Sequence, residues 1–123
     1  MTDIIDINHL KKLQQEFSTI RDWDKFHTPK NIAMALTCES AELLELFQWL
    51  TEDESRTAFQ DAALKEKTSH ELADIMLYLI RLADLMQINL NEAIHNKMAL
   101  NNKKYPADVV KGSAKKYDEY FTD

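Results

Sequence analysis

An all-α fold, a four-helix bundle in outline, is predicted by three features of this 123-residue chain. Glycine occurs once and proline twice, and a chain with so little glycine has few positions suited to the turns and bulges of a sheet. Apolar residues return every three or four positions, which is the repeat of a helix face rather than of a strand. Capping signals stand where several of these repeats begin. The length suits one domain, 1–123, with a less regular tail over 107–123.

Leu10, Leu13, Phe17 and Ile20 predict a first helix from about Ile7 to Trp23. Thr28 followed by Pro29 starts the second, a capping hydroxyl and then a proline whose missing N–H is harmless in the first turn. That helix continues to about Leu50. Thr51 to Ser69 is polar and mixed, and reads as a loop with a short helix near Ala58 to Lys65. Ser69 can cap a third helix from about His70 to Gln87, whose apolar residues, among them Leu72, Ile75, Met76, Leu79 and Leu82, spread right round it. Such a helix belongs in the middle of a bundle or in a subunit interface, so the chain is expected to form a homo-oligomer. Asn89 or Asn91 caps a fourth helix that reaches about Lys103 and stops ahead of Pro106.

A net charge of -6 argues against a general nucleic-acid or anionic-membrane binder. The lone Cys38 rules out an internal disulfide and suits a reducing compartment. The N-terminus has no basic region followed by an apolar run, and no stretch has the ~18 consecutive apolar residues of a membrane helix. The expected location is the cytoplasm.

The chemistry lies in the acids. Around the second helix, Ile32, Leu36, Leu43, Leu46, Phe47 and Leu50 make one apolar arc; Glu39 falls inside it and Glu42 at its edge. On the third helix Glu71 and Asp74 repeat the three-residue spacing, and Glu71 shares its arc with Ile75, Tyr78 and Leu82. Ionised carboxylates in apolar surroundings cost several kcal/mol unless a charge compensates them. No lysine or arginine stands at a matching core position, so the natural compensator is a cation from solvent. Oxygen ligands without His or Cys suit Mg²⁺ or Mn²⁺ rather than Zn²⁺, and Mg²⁺ shares its shell with phosphate oxygens. On the pattern alone, a solvated acidic face stays open as the alternative.

Glu39-x-x-Glu42, a spacer over 43–70 and Glu71-x-x-Asp74 resemble the MazG-type all-α nucleoside triphosphate pyrophosphohydrolase superfamily. Within it, the dCTP pyrophosphatase branch is the closer match. The likeness extends to Arg21-Asp22-Trp23-x-x-Phe26-His27-x-Pro29-x-Asn31, to Glu45-Leu46-Phe47-Gln48-Trp49, to Lys97-Met98-x-x-Asn101 with Tyr105-Pro106, and to Gly112-Ser113-Ala114 with Lys116-Tyr117. The resemblance implies that Glu39, Glu42, Glu71 and Asp74 bind Mg²⁺. It implies hydrolysis of a (deoxy)nucleoside triphosphate, with dCTP first, to monophosphate and pyrophosphate. Glu39 and Glu42 are the expected catalytic acids, with Glu42, at the wetter edge, as general base. Tyr78, Lys97, Asn101 and Lys104 are expected at phosphate and sugar, and Trp23, His27 and Trp49 at the base. The branch forms dimers that pair into tetramers, which makes an aromatic residue lent across an interface an expectation here.

Two other readings compete. A di-iron bundle needs Glu-x-x-His on two helices, and only Glu92-Ala-Ile-His95 has that spacing. A non-enzymatic helical interaction module would use the acidic row to dock a basic partner.

Overall fold

The computed structural model describes residues 3–114, and all its regular elements there are helical. The Lys116-Tyr117 part of the resemblance lies outside the described residues. The chain divides into two compact units, 1–87 and 88–123.

In the first unit α1 spans Ile7–Thr19, α2 Pro29–Phe47, α3 Glu52–Arg56 and α4 Ala62–Leu85. The Asp6 carboxylate accepts from the His9 amide and opens α1. The helix stops four residues short of Trp23, because Asp22 takes a left-handed backbone (φ 53°). The Trp23 amide then donates to the Ser18 carbonyl at 2.9 Å and the Asp22 amide to the Thr19 carbonyl at 3.1 Å. These two bonds form a Schellman stop, here on Asp where glycine is usual. Gln87, also left-handed (φ 55°), accompanies the end of α4. Scarce glycine therefore did not exclude left-handed turns; two other residues make them.

The stop folds the chain back on α1. Trp23 packs edge-on against Phe17 with ring centroids 5.8 Å apart, and a 3₁₀ turn over Asp24–Phe26 follows. Thr28 caps α2 as the Thr-Pro pair predicts, its hydroxyl accepting from the Asn31 amide at 3.2 Å. Asn31 also donates its side-chain amide to the Phe26 carbonyl at 2.9 Å, tying the turn to the helix.

The stretch expected as a loop is more regular. A reciprocal capping box between Thr51 and Glu54 starts α3, and a 3₁₀ turn covers Ala58–Gln60. Asp61, accepting from the Leu64 amide, caps a single helix that runs through Ser69. Ser69 is thus no cap, and the third helix begins at Ala62 rather than His70. The α2 helix likewise ends at Phe47, short of Leu50.

Helix α4 packs on α2 over the longest contact of the unit and on α1 beside it. The buried apolar side chains of the described residues are Ile32, Ile80 and Ala83, joined by Ser18 and Arg81. Full burial of Ile80 contributes about 2–3 kcal/mol. In the second unit Asn89 caps α5 (Leu90–Lys104), and α6 (Ala107–Val110) follows Pro106. None of the described helices is long and apolar enough to cross a membrane.

Candidate metal centre and adjoining cavity

Because α2 and α4 lie against each other, their acidic rows meet. One carboxylate oxygen from each of Glu39, Glu42 and Glu71 falls within 4.8 Å of the other two. Glu39 and Glu71 are half-buried and Glu42 is exposed, the gradient expected from their places in and beside the apolar arc. Oε2 of Glu39 and Oε2 of Glu71 are sealed from solvent and have no hydrogen-bond partner among the described residues. Asp74 is not in this tight group; it lies one turn after Glu71.

The electrostatics follow from the crowding. The Glu39 carboxyl is pushed up to about 7, first by the close approach of the Glu71 carboxyl, then by burial, then by Glu42 and Asp74. Carboxylates this close are accommodated by sharing a proton or by binding a cation. The buried cation of the same helix is engaged elsewhere, since Arg81 pairs with Asp24 and Asp84 at 3.5 Å each. Sealed, orphaned oxygens in an all-carboxylate set fit a hard divalent ion. Burial and the Glu39, Asp74 and Glu42 charges hold the Tyr78 phenol above its ordinary value, so at neutral pH it keeps its O–H as a donor.

A cavity of about 410 Å³ opens beside this cluster, between α1, the 3₁₀ turn and α4. Asp74 and Tyr78 line it and link it to the acids. Trp23 and His27, 4 positions apart in the sequence, both reach it because of the turn after α1. The volume lies in the range of small-molecule sites.

The structure does not bring every expected site residue together. Trp49 is 87% exposed in the turn after α2, away from the cavity lining. Lys97, Asn101 and Lys104 belong to α5 in the second unit, where their spacing puts them on one face. Sequence reasoning passed over Gln14, which lines the cavity and whose buried side-chain nitrogen has no partner among the described residues. It also passed over Ser18, Asp24 and Arg81. An arginine inside the apolar run Leu79-Ile80-Arg81-Leu82 was a readable signal, because a lone cation on a core face needs acceptors nearby.

The sequence profile of the MazG-like family matches residues 34–120, which include all four acids. The chain belongs to this family. Among MazG-like relatives it is 36% identical to dCTP pyrophosphatase 1 of Homo sapiens over 113 residues, 92% of this chain and 66% of that protein. The dCTP pyrophosphatase 1 of Bos taurus is also 36% identical over 113 residues, 92% of this chain and 67% of that one. The chain thus spans about two thirds of the length of these relatives. A crystal structure of a pyrophosphatase from Archaeoglobus fulgidus superposes with a TM-score of 0.76 at 38% identity, covering 86% of this chain and 97% of that one. The MazG-type resemblance of the sequence is borne out.

Proposed function

We propose that this MazG-like protein is a Mg²⁺-dependent nucleoside triphosphate pyrophosphohydrolase, with dCTP as its leading substrate: NTP and water give NMP and pyrophosphate. The observation that carries the reading is the pair of sealed, unpartnered carboxylate oxygens of Glu39 and Glu71 beside a cavity with an aromatic wall. The names of the relatives support the choice of substrate.

Glu39, Glu42 and Glu71, with Asp74 one turn on, would hold the metal. Bound there, Mg²⁺ supplies positive charge to the triphosphate and makes a water more acidic. Glu42, the exposed member of the cluster, accepts the proton of the attacking water. Tyr78 donates its hydroxyl proton to a phosphate oxygen. Trp23 gives the base a stacking face, and His27 a polar edge. Lys97, Asn101 and Lys104 are assigned to phosphate and sugar on their chemistry and their common face. Phosphorus NMR of the protein with dCTP and Mg²⁺ is expected to show pyrophosphate and dCMP growing together. Orthophosphate with dCDP, or no turnover of any nucleotide, overturns the reading.

The active form is proposed to be a homo-oligomer, a dimer or a dimer of dimers. Leu72 on α4 is 53% exposed, Leu44 on α2 64% and Phe59 64%, and apolar surface of this kind is covered in a stable assembly. Trp49, 87% exposed, would then wall the base site of a neighbouring copy. Trp49→Ala is expected to raise KM for dCTP roughly tenfold, the worth of one lost stacking face, while kcat changes little. Steady-state kinetics with unchanged KM and base preference would assign Trp49 to packing.

A further inference from the structure

Arg81 is the one basic side chain buried among the described residues, with 8% of its side chain exposed. Each guanidinium nitrogen has its own acceptor. Nε donates to Nδ1 of His27 at 3.1 Å, one terminal nitrogen lies 3.5 Å from Asp24 Oδ1, and the other 3.5 Å from Asp84 Oδ2. Both acids are held in turn: Ser18 and Thr19 donate to Asp24 at 2.5 and 2.9 Å, and Gln15 donates to Asp84 at 2.7 Å.

This network decides the protonation of His27. Arginine has donors and no acceptor, so Nδ1 of His27 must offer its lone pair. Ser18 Oγ also lies 3.3 Å from Nδ1, but its proton is committed to the shorter bond with Asp24. A neutral imidazole whose Nδ1 accepts carries its proton on Nε2. Burial, and then the Arg81 charge, hold the ring neutral against the pull of Asp24. Among the described residues no hydrogen bond engages Nε2, and His27 lines the cavity that also holds the amide nitrogen of Gln14, unpartnered among the same residues.

We propose that Arg81 is a positioning residue that locks His27 as an Nε2–H donor, so that the cavity selects a pyrimidine whose ring N3 is an acceptor. Cytosine satisfies this; thymine and uracil carry a hydrogen on N3 and would set donor against donor. The inference rests on the nucleotide reading above and names the group that distinguishes its bases. Without Arg81 the ring is free to move its proton to Nδ1 and accept from the N3–H of thymine.

The test uses the full chain. Ring ¹⁵N spectra at neutral pH are expected to show His27 with Nδ1 bare and Nε2 protonated. The opposite tautomer, or an imidazolium, overturns the proposal whether or not the protein turns over a nucleotide. Titration with dCMP is expected to shift the Nε2 signal at concentrations where dTMP leaves it in place; equal responses overturn the base selection. In Arg81→Met the preference of kcat/KM for dCTP over dTTP is expected to fall roughly 10- to 100-fold, the effect of one unmade buried hydrogen bond, mainly through KM. Arg81→Lys, which keeps a donor without an acceptor, is expected to restore much of it. A folded Arg81→Met protein with the native ratio overturns the proposal. If Arg81→Met does not fold, the native ring spectra and titrations decide. A native protein that hydrolyses no nucleotide defeats the proposed function, while the tautomer measurement still judges the lock.

Discussion

Glu39→Gln and Glu71→Gln are each expected to lower kcat/KM for dCTP by more than about 100-fold while making the metal-free protein more stable. The two effects have one cause. Replacing an outer-shell partner of a metal costs about 10- to 100-fold, and replacing a ligand removes both a donor oxygen and a unit of charge from the ion, so the loss is larger. A 100-fold loss corresponds to about 2.7 kcal/mol of transition-state stabilisation. In the metal-free protein the same carboxylate is a liability. Oε2 of Glu39 is sealed without a partner, and Glu71, Glu42 and Asp74 all act against its charge. An amide at position 39 is neutral and can donate to Glu71, so the repulsion ends. Steady-state kinetics and thermal melting in EDTA read the two effects, and circular dichroism is expected to show unchanged helix content. Full activity in either variant would remove the metal assignment. A melting midpoint lowered equally with and without metal would show ordinary damage to packing.

The second large effect links metal to pH. In the folded chain Glu39 titrates at about 7, against a reference of 4.5. Between these values an unfolded chain ionises this group and the folded one resists. The protonated form therefore gives stability that is fully present below about pH 4.5 and is lost as pH rises toward 7. Metal-free protein is expected to melt at lower temperature at about pH 7.5 than at about pH 5.5, as far as this group governs. A divalent ion replaces the shared proton, so its stabilisation grows across the same window. With free Mg²⁺ at about 100 times its Kd the gain is about 2.7 kcal/mol, roughly 10 °C in Tm for a domain of this size. Scanning fluorimetry with EDTA or Mg²⁺ at the two pH values measures this. An equal Mg²⁺ shift at both, or a larger one at the lower pH, contradicts the cluster as the binding site. Turnover is expected to vanish in EDTA and return with Mg²⁺.

Sequence and structure divide the account of this protein by range. Local chemistry was legible in the chain. Thr28-Pro29 opens α2 and Asn89 opens α5, as a capping side chain acts within three residues of itself. The four acids stood out because a three-residue spacing on an apolar arc is a property of a single helix, and together with the motifs around Trp23, Trp49 and Asn101 they resembled the family whose profile matches the chain. Local signals also misled. The Asp61 cap and the Thr51–Glu54 box were present in the sequence, but the polar run around them read as a loop. The end of α1 was missed because Asp22 makes a turn for which glycine is the usual marker. The meetings of distant residues could come only from packing. Glu39 reaches Glu71 because α2 lies on α4, and Arg81 meets His27 across 54 positions because the turn after α1 carries that ring onto the third long helix. Periodicity tells which side of a helix is buried and not which side of another helix will cover it. Thus the sequence alone carried the helical class and singled out the acidic residues, whereas the cavity, the sealed carboxylate oxygens and the meeting of Arg81 with His27 were decided by packing.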